Sequence, residues 1–281
     1  MKILVTGYTG QLGYDVVKEG LNRGLEMIGI GQKDLDITNE KDVHQYVEEL
    51  KPDAIIHCAA YTAVDLAEEQ KEMCWDVNVN GTKYLAAAAK ASRSKFMFIS
   101  TDYVFKGEGT EPFSESAPAN PVNYYGYTKY EAEKVVRSLL TNAFIVRISW
   151  VFGINGKNFI KTMLRLAETH DHVNVVEDQI GSPTYTFDLA RLLVEMIQTD
   201  KYGVYHATNE GFCSWAEFAE EIFKQAGKTV KVNAIKTEEY PTKAVRPKNS
   251  RLSKQKLRVN GFEPLRPWRE AVAHYIKELE V

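Results

Sequence analysis

Long apolar runs are missing from this chain: no stretch approaches the ~20 consecutive apolar residues that carry a helix across a bilayer, so a helical membrane protein is excluded. An excess of positive charge is missing as well. Thirty-five Lys and Arg face 38 Asp and Glu, for a net charge of −3, which gives a nucleic-acid backbone or an anionic membrane no electrostatic footing. Cysteine is scarce. Cys58, Cys74 and Cys213 stand far apart without the spacing of a metal site, so they read as reduced thiols and no metal ligand is assigned. The start, Met1-Lys2-Ile3-Leu4-Val5-Thr6-Gly7, runs straight into an apolar strand and leaves no room for the parts of a secretory leader. A cytoplasmic address is expected.

What is present is an ordinary globular composition, 44% hydrophobic and 26% charged over 281 residues, enough for one large or two modest domains at about 150 residues each. The first half alternates short apolar runs at 2–6, 26–30, 54–58, 96–100 and 143–148 with helical patterns at 11–22, 40–50, 79–91 and 124–140. The strands are nearly continuously apolar and rich in Ile, Val and Phe, as strands are when helices cover both faces of a parallel sheet. Right-handed crossovers then predict an α/β fold with a Rossmann-type doubly wound parallel sheet. After Trp150 the rhythm changes. A helix at 188–198 and a strand at 204–207 return to the main sheet, while helices at 215–225 and 268–279 belong to a smaller C-terminal α/β lobe. The expected division is 1–150 plus about 186–207 for the nucleotide-binding domain, and about 151–185 plus 208–281 for a substrate-binding lobe.

Gly7, Gly10 and Gly13 fall where the first strand turns into the first helix. Gly7 allows a tight turn, Gly10 lets backbone N–H groups approach a pyrophosphate, and Gly13 lets the helix lie close to the sheet. The end of the second strand reads Ile30-Gly31-Gln32-Lys33, without the carboxylate that holds an NAD ribose 2′-OH. That permits NADP(H), with Lys33 as a partner for the extra phosphate or simply a solvated loop lysine. Asp34 and Asp36 follow closely, so NAD(H) stays possible. Asp36 and Ile37 fit beside an adenine, and Ala59-Ala60-Tyr61-Thr62, after the third strand, fits under the ribose and pyrophosphate.

Reducing a carbonyl takes a proton donor, a second donor to hold the oxygen and a hydride carrier. Tyr125 supplies the proton. Lys129 lies one helical turn on, on the same face, where its charge is expected to lower the Tyr125 pKa and its ammonium to hold the nicotinamide ribose. Thr101 ends a strand, facing the crevice in which open α/β sheets bind ligands.

These words together, with Asn78-Val79-Asn80-Gly81-Thr82 and Ser100-Thr101-Asp102, resemble the extended short-chain dehydrogenase/reductases. Ala60-Tyr61-Thr62-Ala63-Val64-Asp65, Thr101-Asp102-Tyr103-Val104-Phe105, Arg147-Ile148-Ser149-Trp150-Val151-Phe152, Asp178-Gln179-Ile180-Gly181-Ser182-Pro183-Thr184 and Arg246-Pro247-Lys248-Asn249-Ser250-Arg251-Leu252 are similar to the dTDP-4-dehydrorhamnose reductase family over essentially the whole chain. The resemblance implies hydride transfer from NAD(P)H to C4 of dTDP-4-dehydro-L-rhamnose, for surface polysaccharide. It implies a cofactor lined by Gly10, Gln11, Leu12, Asp36, Ile37, Ala60, Tyr61, Thr62, Tyr125 and Lys129. Thr101, Asp102 and Tyr103 would meet the sugar, with Trp150 packed against it. Arg246 and Arg251 suit a diphosphate, or else brace the smaller lobe. Some members of the family dimerise around magnesium through glutamates; here Phe187 stands in place of one and Asp15 offers itself for another. Magnesium is therefore doubtful, and a monomer or weak homodimer is expected. Two other readings stay open: a nucleotide-sugar epimerase or dehydratase that recycles a tightly held NAD, and a non-catalytic subunit resembling the regulatory one of methionine adenosyltransferase.

Overall fold

The computed structural model describes residues 1–279, so the last two residues of the expected substrate lobe lie outside it. The five apolar runs form β1 (Lys2–Thr6), β2 (Glu26–Ile30), β3 (Ala54–His57), β4 (Lys95–Thr101) and β5 (Ala143–Ile148). With a sixth strand, Gly203–His206, they make one sheet in the order β2-β1-β3-β4-β5-sixth, every pair parallel. The order reverses at β1, where the chain leaves toward β2 on one side and returns to β3 on the other. Ligands settle at such switch points, outside the carboxyl ends of the strands.

Each face of the sheet carries helices, which is why its strands are apolar on both sides. On one face, Val16 and Val17 of α1 (Gln11–Asn22) and Leu189, Leu193 and Ile197 of helix Thr186–Ile197 pack over Val5, Ile56, Met97 and Val146. On the other, α2 (Glu40–Leu50), helix Gly81–Ser92 and helix Tyr124–Leu139 cover Leu4, Ile55, Phe96, Phe98 and Ile145. Burying each such side chain stabilises by about 1.5–3 kcal/mol. A third core joins Phe152, Ile160, Tyr185, Phe218, Trp268 and Tyr275 in the second half of the chain. Its framework is helices Phe159–Leu166, Trp215–Gln225 and Trp268–Leu279 with the parallel pair His172–Val176 and Lys231–Ile235. Leu257, Phe262 and Leu265, from the same half, pack instead into the core of the main sheet.

Boundaries differ from expectation by a residue or two, except at 79–91. There a five-residue π-turn, Asp76–Asn80, precedes helix Gly81–Ser92. The wider turn points Asn78 into the protein rather than along the helix, a local irregularity that the apolar spacing does not encode.

Candidate active site

A cleft of about 1120 Å³ opens at the carboxyl ends of β1, β3, β4 and β5 and is closed on its far side by Trp150, Gly156, Lys157 and Trp215. At the β1 end the glycine turn behaves as its spacing predicts. Gly7 has φ +73°, a Cβ on it would stand 2.7 Å from Ala59 N, and one on Gly13 would stand 2.4 Å from Gly7 O. A Cβ on Gly10 would meet only Gly7 O, at 3.2 Å, so Gly10 exposes backbone to the cleft at the start of α1. A dinucleotide pyrophosphate fits that cradle. Gln11, Leu12, Asp36, Ile37, Ala59, Ala60, Tyr61 and Thr62 also line the cleft.

Lys33 does not. It is exposed on an adjoining groove with Asp34, Asp42 and Glu49, and Gln32, Leu35 and Asp36 line both. The turn after β2 closes through Gly31 N donating to Asp34 Oδ2 at 2.8 Å and Asp34 N donating to Gly31 O at 3.1 Å. That turn leaves Gln32 on the cleft and Lys33 on the adjoining groove, where its side chain is exposed.

At the other end, Thr101, Asp102, Tyr103, Tyr125 and Lys129 converge on one stretch of wall. Tyr125 and Lys129 come from helix Tyr124–Leu139, whose start is capped by Asn123 Oδ1 accepting from Gly126 N at 2.8 Å and by Glu68 Oε1 accepting from Tyr124 N at 2.8 Å. Thr101 Oγ1 donates to Asp102 Oδ1 at 3.0 Å and accepts from Tyr103 N at 3.2 Å. The Tyr103 ring meets that of Tyr125 edge-on, centroids 5.9 Å apart.

The electrostatics correct one expectation. Burial, reinforced by the Asp102 carboxyl and only partly offset by the Thr101 hydroxyl, drives the Tyr125 phenol above its usual value rather than below it. Lys129 is itself buried, its Nζ 4.1 Å from the centre of the Phe98 ring, and burial pulls its pKa down to about 7 against the opposing pull of Glu133. An ammonium half titrated near neutrality is a weak source of positive potential for its neighbour. The Tyr125 phenol therefore stays protonated across the neutral range, which is the state a proton donor needs.

Trp150 holds a left-handed backbone, φ 47°, unusual for a bulky residue. It turns the indole onto Trp215, the two rings stacked at 3.8 Å and 17°, and both line the cleft. Arg246 reaches the wall only through Tyr103, donating to its hydroxyl at 3.2 Å while Nη2 pairs with Asp65 at 2.5 Å. Arg251 donates to Asn249 Oδ1 at 3.1 Å and lies over Phe212. Neither arginine lines the cleft, because both are spent on protein partners.

Comparison with known proteins gives the family. The family model "RmlD substrate binding domain" matches residues 1–281. A dTDP-4-dehydrorhamnose reductase of Aggregatibacter actinomycetemcomitans is 41% identical, over 96% of this chain and 97% of that protein. The crystal structure of a dTDP-4-dehydrorhamnose reductase from Clostridium acetobutylicum superposes with a TM-score of 0.98 at 45% identity, covering 100% of both chains. One from Bacillus anthracis, in complex with NADP, superposes with a TM-score of 0.96 at 42% identity, covering 99% of this chain and 100% of that one. The chain belongs to the RmlD family.

Two side chains that shape the site in this RmlD-family chain, Trp215 and Asn78, have no role legible in the sequence. Trp215 reads as the first residue of an amphipathic helix, and only its stack on Trp150 reveals it as cleft wall. Buried Asn78, recognised as part of a motif but given no role, accepts from Tyr61 N at 2.8 Å and donates to Tyr61 O at 3.2 Å and to Thr128 Oγ1 at 3.0 Å. It fastens the cofactor-side loop to the helix of Tyr125. Gln11, expected only beside the cofactor, also bridges the halves of the chain, its Oε1 accepting from Gly153 N at 2.9 Å and Asn158 Nδ2 at 3.0 Å. Among the described residues no cluster of three metal-ligating side chains occurs, and no helix is long and apolar enough to cross a membrane.

Proposed function

We propose that this chain reduces the C4 keto group of dTDP-4-dehydro-L-rhamnose to dTDP-L-rhamnose with NADPH, as a cytoplasmic step of nucleotide-sugar and surface-polysaccharide synthesis. The observation that carries this reading is a phenol kept protonated, Tyr125, on the same stretch of wall as Thr101 and Lys129 and in one cleft with the glycine cradle. Family membership supports the sugar, and the NADP held by the Bacillus anthracis relative supports the cofactor.

When bound, the nicotinamide supplies the hydride. Everything else falls to side chains of this chain. Tyr125 gives its phenolic proton to the alkoxide that forms at C4, and Thr101 donates a hydrogen bond to the same oxygen as charge develops there. Lys129, when charged, holds the nicotinamide ribose hydroxyls. Trp150 and Trp215 offer an apolar wall to the sugar ring. The diphosphate reaches Arg246 only by competing with Asp65, and Lys157, which also lines the cleft, is a further cation available to phosphate.

The test is to follow oxidation of NADPH and NADH with dTDP-4-dehydro-L-rhamnose generated in place. Turnover with NADPH is expected, and Tyr125→Phe should lower kcat by roughly a thousandfold, within the usual range for a lost general acid, at nearly unchanged cofactor affinity. Absence of turnover with both cofactors overturns the reading. A strong preference for NADH overturns its cofactor half.

A further inference from the structure

Behind the cleft wall lies a cluster of charged groups that the reaction as described does not use. Glu133 is fully buried on helix Tyr124–Leu139. Its Oε1 accepts from Ser100 Oγ at 2.7 Å and Arg147 Nε at 2.8 Å; its Oε2 accepts from Arg147 Nη2 at 2.7 Å and Arg137 Nη2 at 3.0 Å. Arg147 is buried too, lies over the Phe105 ring and meets His206 Nε2 at 3.4 Å.

Burying such a pair costs several kcal/mol per ion, and well-packed apolar residues often serve stability as well or better. Folding alone is a poor reason for it, so its position matters. Ser100 precedes Thr101 on β4, and Arg147 is its register partner on β5, two residues before Ser149 at the cleft. Glu133 follows Lys129 by four residues, on the same face of the helix. One carboxylate thus ties together the three elements that carry Thr101, Trp150 and the Tyr125–Lys129 pair.

The groups around Lys129 leave Glu133 a specific task. From β3 come His57, held neutral by burial with its pKa down to about 3, and Cys58, a thiol pushed up to about 12 just beyond the strand. Helix Lys71–Trp75 contributes Cys74, a thiol also pushed up by burial, and Tyr125 on Lys129's own helix is a protonated phenol. Glu133 comes first among the groups that oppose the burial of Lys129.

We infer that Glu133 is a positioning residue for the reductase reaction: its carboxylate, one helical turn beyond Lys129, favours a charge on that side chain, and through Ser100 it holds the end of β4 against the catalytic helix. The inference rests on the reductase reading above. It predicts different signatures for the two bonds. In Glu133→Gln the charge goes, and the alkaline limb of kcat/KM for NADPH, along with that of NADPH affinity measured by fluorescence, moves acid by about one pH unit. Glu133→Asp keeps the charge and leaves the limb within about 0.3 unit of wild type, since an opposite charge in reach still favours the ammonium. Ser100→Ala loses kcat without moving the limb. If Glu133→Gln alone fails to fold, the double variant Glu133→Gln with Arg147→Gln removes both buried charges and should show an acid shift of the same sign but smaller, because losing the Arg147 cation returns part of the support for the Lys129 ammonium.

A Glu133→Gln or double-variant limb that coincides with that of wild type, with only a uniform loss of rate or Tm, overturns the inference and leaves Glu133 a structural brace. Wild-type protein that binds NADPH but does not reduce the sugar overturns the substrate reading alone, because the affinity profile still tests Glu133. Wild-type protein that binds no NADPH overturns both.

Discussion

The Asp102 carboxyl is buried with Oδ1 held by Thr101 and, among the described residues, no hydrogen bond of good geometry to Oδ2, and burial, partly offset by the nearby Ser250 and Thr101 hydroxyls, pushes its pKa up to about 6 from 3.8. The sign of its effect on stability follows. Between pH 4 and 6 the folded chain holds a proton here that the unfolded chain has released, so this group removes stability as pH rises through that window. The full penalty, of order 1–3 kcal/mol for about two units, is present above the folded pKa and absent below the unfolded one. Such strain at a cleft wall is what a site kept for chemistry rather than folding looks like. Asp102→Asn should therefore raise Tm at pH 8, with the gain shrinking as melts are repeated down to pH 4.5, while turnover falls. A gain independent of pH, or a loss at pH 8, would show that the carboxyl is satisfied in the folded protein.

At the scale of elements, helix Tyr124–Leu139 depends on one close approach. A Cβ on Gly126 would stand 2.2 Å from Tyr103 O, a backbone atom that cannot step aside, so the helix carrying Tyr125 rides directly on the turn that follows β4. Gly126→Ala must separate the two by a fraction of an ångström or more. Roughly 1–3 kcal/mol of stability should be lost, and kcat should fall by about a hundredfold, because a misplacement of that size moves Tyr125 away from Thr101. Thermal melts and initial rates check both, and unchanged values would mean that the helix start has slack. This helix is also where the sequence was most legible: the helical pattern at 124–140 and the four-residue Tyr–Lys spacing are both local signals. The six sheet strands were legible for a similar reason, since continuous apolar runs need helices on both sides. The two-residue strand Asn249–Ser250 was not, as it pairs with Ile180–Gly181 about seventy residues away and leaves no periodicity of its own. Lys33 and Arg251 each had two readings that sequence could not separate. Residue type allowed a phosphate partner or a plain surface or bracing role for each, and side-chain direction, which decides, is set by the turn closed through Asp34 in one case and by Asn249 and Phe212 in the other.

For the whole molecule, the question is whether metal-linked assembly belongs to this chain, and the acids that would serve it are turned inward. Asp15 on α1 is buried, accepts from Thr186 Oγ1 at 2.5 Å and is pushed up by burial. It joins α1 to helix Thr186–Ile197, the two helices on one face of the sheet. Asp188 is buried as well, paired with Arg266 at 2.7 Å and accepting from Asn209 Nδ2 at 2.8 Å. Between them in sequence, Phe187 stacks on His274 at 5.1 Å and has no oxygen to offer a hard cation. Recruiting Asp15 to a magnesium ion would break its bond to Thr186 and loosen the packing of α1, a cost that a surface glutamate does not carry. Light scattering should therefore give the mass of one chain, the same in EDTA as in millimolar magnesium, and the Tm should not respond to either. A mass that doubles with magnesium and returns with EDTA would mean that Asp15 leaves Thr186, or that other acids serve the ion, and would overturn the monomer.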